Sequence, residues 1–258
     1  MKKRLDSLLV EKDLAEDLRQ ARALILSGAV LVDEQPVDKA GRLIPSTATV
    51  RLKASRCRYV SRGGLKLEGA LGHFGIPVTG KTCLDLGAST GGFTDCLLHH
   101  GARRVYAFDV GSGQLDWKLR QDGRVLVREN VNVKHLEPPM VEEAIHLITA
   151  DLAFISLRLI FPRLRLFPAA DILALVKPQF EARRREVPRG GVIRDARLRG
   201  QILDRVRDAA ISEGFRLCGE TPSPIKGQKG NLEQFFWLRL DALRAKVPSP
   251  KGRNPKDQ

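Results

Sequence analysis

Residues 85–94 read DLGASTGGFT, and this stretch decides the fold. Apolar residues precede its glycines, and an apolar-periodic run, FTDCLLHHGA, follows them. That order is strand, tight glycine-rich turn, helix, the first βα unit of a nucleotide-binding sheet. Gly87, Gly91 and Gly92 let the backbone turn sharply and approach a ligand closely, with Ala88, Ser89 and Phe93 completing the turn. Asp85, at the end of the strand, is read as a carboxylate beside that ligand. The dinucleotide fingerprint would read GxGxxG, and this segment does not. Its Asp-x-Gly-x-Ser-x-Gly spacing fits a turn that holds S-adenosylmethionine, whose sulfonium and amino acid end need no pyrophosphate cradle. Spacing alone leaves other Rossmann-like uses open.

Outward from this turn the chain alternates. Strands are expected at TCLDLG, RVYAFDV (104–110), RVLVREN, HLITADL (146–152), DILALVK (171–177), RLCGE and EQFFWLRL (233–240). Helices are expected at SRGGLKLEGALGHFG (61–75), at 92–101, at GQLDWKLRQ, at ISLRLIFPRLRLF and over VIRDARLRGQILDRVRDAAISEGF. Apolar strands alternating with helices imply an α/β, Rossmann-like, doubly wound sheet, mostly parallel and covered on both faces. The last two strands have no helix between them and predict an antiparallel edge hairpin. Residues 1–60 read as a separate small α+β domain with two helices, on Leu5, Leu8 and Leu9 and on Ala21, Leu24 and Ile25, then short β segments with a turn at Glu34–Gln35. Residues 54–60 form a basic linker, 61–243 the large domain and 244–258 a basic tail with a disordered composition.

The 258 residues carry a formal net charge of +14, and the isoelectric point near 10.1 points to a polyanionic partner. Mean hydropathy is −0.20, no apolar run approaches the ~18 residues of a membrane span, and charges at Asp6, Glu11 and Lys12 interrupt any signal-peptide core. A cytoplasmic protein is the expectation, with a monomer favoured. The four cysteines stand far apart without CxxC spacing, as buried thiols would.

Asp109 ends the second strand roughly twenty residues after the glycine turn, where an acid accepts hydrogen bonds from ribose hydroxyls. Val110 follows it, and Asn130, Val131 and Asn132, after the third strand, fall where an adenine edge would lie. Lys177, Asp151 and Glu233 sit at strand ends, and Lys66 on the helix before the first strand. Any one of them is explained as a charged strand end. Together they converge on the side of the sheet that holds the nucleoside. Residues 177–207 hold ten Lys/Arg against four Asp/Glu, a net +6 beside that crevice that suits phosphate contacts. Arg183, Arg184, Arg185 and Arg189 are its candidates, and Lys226 and Lys229 lie on a second rim.

Two resemblances sharpen this. RLDSLLVEKDLAEDLRQARALILSGAVLVDEQPVDKAG resembles the S4 RNA-binding domain, with Leu18 and the acidic turn Asp33–Glu34 as departures. With that module, SRGGLKL, DLGASTGGFT, ADLAFISL, LVKPQFE and GNLEQFFWL resemble the TlyA (hemolysin A-like) family over nearly the entire chain. The resemblance implies an S4 domain joined to an FtsJ-type 2′-O-ribose methyltransferase acting on ribosomal RNA, at cytidines within the family. It implies a Lys-Asp-Lys-Glu tetrad on Lys66, Asp151, Lys177 and Glu233. It also implies RNA contacts from Lys3, Arg4, Arg19, Arg22, Lys39, Arg42 and Arg62. The linker RCRY departs from the family's aromatic-containing tetrapeptide. A free lysine is neutral in only about one part in a thousand at pH 7.5, and a second ammonium with partial burial disfavours the charged form. Lys177 is therefore assigned as the base, Asp151 as its holder, Lys66 as orienter and Glu233 as the group positioning Lys66 or the ribose. The donor carries its own leaving group, so no metal is called for. The competing readings are a membrane-active cytolysin and a non-catalytic ribosome-assembly factor.

Overall fold

The computed structural model describes residues 2–52, 57–227 and 229–241. The tail expected over 244–258 and part of the linker, 54–56, lie outside the described residues. The large domain is built on seven strands: β1 (Thr82–Leu86), β2 (Arg104–Phe108), β3 (Val125–Arg128), β4 (Leu147–Ala150), β5 (Asp171–Val176), β6 (Phe215–Pro222) and β7 (Gln234–Leu240). Their spatial order is β6-β7-β5-β4-β1-β2-β3. All neighbouring pairs from β5 to β3 are parallel, and β7 runs antiparallel between β5 and β6. This is the expected doubly wound sheet with its antiparallel hairpin, β6 forming the edge.

Strand periodicity sorts the core into two layers. Leu84, Leu86, Tyr106, Phe108, Ile148, Ile172 and Phe236 face one side, where Val206 and Ala210 of helix α3 (Ala196–Ser212) cover them. Cys83, Val105, Leu147, Leu173 and Phe235 face the other, under Leu67 and Leu71 of α1 (Gly63–Phe74) and Phe93, Cys96 and Leu97 of α2 (Gly92–His99). Each fully buried Leu or Phe contributes roughly 1.5–3 kcal/mol. Both central strands are therefore fixed from two sides.

Consecutive strands run outward from β1 to β3, and the chain then returns to place β4 on the other side of β1. The crevice opens where the order reverses. Gly87, at φ +83°, leaves β1 at this point, and a Cβ built on it would stand 2.7 Å from the Asp151 carbonyl oxygen.

Three helices are shorter than the periodicity predicts. The GQLDWKLRQ helix is reduced to Trp117–Arg120, because Asp116 caps it by accepting from the Lys118 N–H. The run ISLRLIFPRLRLF breaks into a 3₁₀ turn, Leu157–Leu159, and a helical turn, Phe161–Leu164, with Pro162 in its first turn. Proline supplies no N–H to continue the earlier turn. The long helix begins at Ala196 instead of Val192, since the Asp195 carboxylate accepts from Arg197 and Leu198 N–H.

In the small domain, helices Leu5–Glu11 and Leu18–Leu26 pack Leu5, Leu8, Leu9, Ala21 and Ile25 against Val30, Ile44 and Val50. Strand Val30–Val32 lies between Gln35–Pro36 and Val50–Leu52. A strand at Lys2–Arg4, not expected from the sequence, pairs with Leu43–Pro45. The hairpin turn falls on Asp33–Glu34, one residue earlier than expected, with both residues at positive φ. Its acids are used locally: Asp33 accepts the Thr49 N–H at 2.9 Å, and Glu34 pairs with Arg51.

Candidate active site

The end of β1 does not deliver Asp85 to a ligand. Its carboxylate is fully buried, accepting the Thr94 hydroxyl of α2 at 2.7 Å and the Thr149 hydroxyl of β4 at 2.8 Å. Burial lifts this carboxyl to about 6. Asp85 ties β1, β4 and α2 together beneath the turn, and the turn itself meets the crevice. Sequence order could not distinguish these cases, because both put an acid at the strand end.

Beyond the turn lie two hollows that share Gly87, Ser89, Asp151 and Ala153. One, of about 550 Å³, is lined by Asp109, Val110, Gln114, Asn132, Val133 and residues 152–156. Asp109 accepts the Ser89 N–H at 2.8 Å through one oxygen and the Gly111 N–H at 2.7 Å through the other. These bonds fix its carboxylate at the mouth with lone pairs left for hydroxyl donors. Asn132 lines this hollow. Asn130 and Val131 do not: Asn130 turns the chain at φ +59°, and Val131 packs on the core. The loop 152–156 and Gln114 are functional candidates that sequence reasoning missed. Only the motif ADLAFISL marked the loop, because its residues are ordinary apolar types.

The second hollow, of about 420 Å³, is lined by Ser61, Arg62, Gly63, Lys66, residues 87–90, Gly92, Phe93, Asp151, Lys177 and Lys226. Here two ion pairs stand side by side. Lys177 Nζ is 2.6 Å from Asp151 Oδ1, and Lys66 Nζ is 2.6 Å from Glu233 Oε2. Both lysine side chains are nearly buried, at 12–13% exposure. The pairing thus offsets the desolvation that a lone ammonium would suffer. Glu233 lies behind Lys66, so its contact is with that lysine. Lys177 also lies 5.9 Å from the Phe180 ring, which packs 5.2 Å from the exposed Phe154.

The cationic candidates divide. Arg4 and Arg22 both bind the buried Asp6, at 2.7 and 3.1 Å, and Lys3 pairs with Glu11. Arg4 above all holds the Asp6 carboxyl at about 2. Arg19 is 3.9 Å from Asp17. Arg19 and Arg22 line a groove with Ser61, Ser89, Thr90 and Gln114, and Arg62 reaches the lysine hollow itself. Lys39, Arg42, Arg183, Arg184, Arg185 and Arg189 are exposed. Among the described residues these six form no side-chain ion pair. In the linker, Tyr59 is buried against Gly64, and the Val60 N–H donates to Asp95 at 2.7 Å. No described helix is long and apolar enough to cross a membrane.

A doubly wound sheet with an acid at the second strand end, a glycine turn at the switch point and a lysine-rich crevice defines a Rossmann-like transferase. Comparisons with known proteins make this specific. The FtsJ-like methyltransferase family matches residues 59–240, and the S4 domain family matches residues 3–50. The 16S/23S rRNA (cytidine-2′-O)-methyltransferase TlyA of Mycobacterium tuberculosis is 44% identical over 245 residues, 94% of this chain and 91% of that protein. Hemolysin A of Brachyspira hyodysenteriae is 44% identical over 233 residues, covering 89% and 97%. A solved structure named for a hemolysin of Streptococcus thermophilus matches with a TM-score of 0.72 at 41% identity, covering 93% and 89%. The chain belongs to the FtsJ-like methyltransferase family, in the group that carries an S4 domain and includes TlyA and hemolysin A. It is a methyltransferase, and membership of this family implies S-adenosylmethionine as its methyl donor. The cavity fits that group: Gly87 closes the backbone to a distance no Cβ tolerates, Asp109 offers lone pairs to a ribose, and apolar residues 152–155 wall the remainder.

Proposed function

We propose that this protein methylates a ribose 2′-hydroxyl of ribosomal RNA, a cytidine as in its TlyA relative, with Lys177 as general base. The observation that carries the reading is the pair of lysine–carboxylate contacts that open into one hollow beside the glycine turn. When bound, S-adenosylmethionine supplies an electrophilic methyl group on a sulfonium. Gly87, Ser89, Asp109, Val110 and Asn132 would hold its nucleoside portion, and Ala88, Gly91, Gly92 and Phe93 would shape the turn around its amino acid end.

A ribose hydroxyl becomes an adequate nucleophile only as its proton leaves. Lys177 Nζ takes that proton in its neutral amine form, since an ammonium has no lone pair to receive it. Asp151, at 2.6 Å, fixes where Nζ stands. Lys66, held by Glu233, presents a cation that orients the ribose oxygen and stabilises negative charge building on it. Arg62 and Lys226 line the same hollow and would contact the phosphates flanking the target. The S4 domain, with Lys3, Arg4, Arg19, Arg22, Lys39 and Arg42, would grip the folded RNA, and Arg183, Arg184, Arg185 and Arg189 would track its backbone. Lys3, Arg4 and Arg22 share their charge with acids, so Lys39 and Arg42 carry more of this load.

The test is Lys177→Ala, assayed for 2′-O-methyl incorporation into ribosomal RNA and, separately, for RNA binding. Methyl transfer is expected to vanish while RNA binding survives. Turnover retained by the variant would refute the assignment.

A further inference from the structure

The run LVKPQFE contributes Lys177 to the proposed reaction, yet its last residue, Glu181, takes no part in it. Glu181 ends the short helix Pro178–Glu181 and is 2% exposed. Its carboxylate reaches across to the loop after β4. Oε1 accepts the Leu157 N–H at 2.7 Å, and Oε2 accepts the Ser156 hydroxyl. The Arg158 guanidinium lies 3.5 Å from Oε2 and donates to the Glu181 carbonyl at 3.4 Å.

The loop held in this way is the wall of the 550 Å³ cavity, which Asp151, Leu152, Ala153, Phe154, Ile155 and Ser156 all line. Leu152 and Ile155 pack it on the core, and its own backbone adds little. Among the described residues, none of the backbone N–H groups from Leu152 to Ser156 donates to a backbone carbonyl, and Phe154 sits at φ +63°. A loop without its own backbone ladder takes its shape from side-chain anchors. At Ser156 and Leu157 that anchor is one buried carboxylate, projected from the segment that begins at Lys177.

We infer that Glu181 is a positioning residue that sets the cofactor-facing wall formed by residues 152–156, and so the affinity for the methyl donor. This rests on the S-adenosylmethionine reading. It assigns to the end of the LVKPQFE motif a role in donor binding separate from the proton transfer at its Lys177.

Glu181→Gln keeps the side-chain shape, removes the charge and sets an amide against one of two hydrogen-bond donors. In the full chain it is expected to raise both the dissociation constant and the KM for S-adenosylmethionine about ten-fold, with kcat within about two-fold. Ser156→Ala removes one of the bonds and raises KM about three-fold, and its effect is smaller in the Glu181→Gln background than in the parent chain. Hydrogen exchange at residues 152–157 quickens in Glu181→Gln while β5 amides keep their rates. Glu213→Gln, which loses a distant contact with Arg165, leaves donor affinity unchanged. An unchanged donor affinity in Glu181→Gln, or exchange that quickens evenly through the sheet, overturns the inference. Should Glu181→Gln fail to fold, Ser156→Ala with unchanged KM overturns it. A parent chain that binds no S-adenosylmethionine would instead refute the donor reading, and the exchange comparison still decides whether Glu181 holds the loop.

Discussion

Replacing Gly87 with alanine disturbs a close approach between the backbone after β1 and the backbone after β4. Two costs are visible in the geometry. The residue sits at φ +83°, where a Cβ costs roughly 1–2 kcal/mol. The new Cβ would also stand 2.7 Å from the Asp151 carbonyl oxygen, 3.2 Å from its carbonyl carbon and 3.3 Å from Leu152 Cδ2. Two of these neighbours are backbone and cannot rotate away, so the loop must shift by several tenths of an ångström, an overpacking cost of roughly 1–3 kcal/mol. The sum, roughly 2–5 kcal/mol, lowers Tm by about 10 °C in a chain of this size. The segment displaced carries Asp151, and with it the placement of Lys177 Nζ. A shift of that order at a reacting group lowers turnover by up to about 100-fold. The same shift moves Asp151 and Leu152 in the donor cavity and weakens donor binding. Thermal unfolding by circular dichroism, calorimetric titration with S-adenosylmethionine and single-turnover methylation measure the three consequences. A variant that melts within about 2 °C of the parent and binds the donor with unchanged affinity would refute the close-approach argument.

The remaining predictions concern charge. Asp6 titrates at about 2 when folded, against 3.8 unfolded. Its stabilising contribution is therefore complete above pH 4 and is lost as pH falls toward 2. Asp85 runs the other way. Its carboxyl is raised from 3.8 to about 6, so its contribution is present at low pH and fades as pH rises across that interval. Denaturant unfolding at several pH values should show the parent and Asp6→Asn converging below pH 4, and Asp85→Asn flattening the change between pH 4 and 6. Differences independent of pH would contradict both pairings. The triple variant Arg183→Ala, Arg184→Ala, Arg185→Ala should weaken RNA binding and reduce the slope of log K against log salt by about 2, with donor affinity intact. An unchanged slope would remove these arginines from the RNA contact.

Much of the fold was legible because each element carries its own local signal. Alternating apolar strands, a glycine turn after β1 and helical periodicity at 63–74 and 196–212 each follow from short-range geometry. Legibility failed where a single polar residue or proline overrode periodicity, as at Asp116, Pro162 and Asp195. It failed again at Lys2–Arg4, whose strand exists only because residues 43–45 come to pair with it.

The sequence by itself determined the βα architecture and the glycine turn, which residue type and spacing encode directly. It marked Asp109 as a candidate by its place after the second strand, and Lys66, Asp151, Lys177 and Glu233 by strand-end placement and by the family resemblance. The tertiary structure brought Lys177 to Asp151 as expected and decided that Glu233 contacts Lys66, a choice the sequence left open against the ribose. It turned Asp85 into the core and away from the ligand. It also made the loop 152–156, marked in sequence only by the motif ADLAFISL, into a cavity wall and committed Arg4 and Arg22 to Asp6. The physical reason is range. Backbone preference acts over a few residues, whereas the partner of a buried charge is whichever group the packed sheet brings within hydrogen-bond distance, here 26 residues away in sequence for Lys177 and Asp151 and 167 for Lys66 and Glu233.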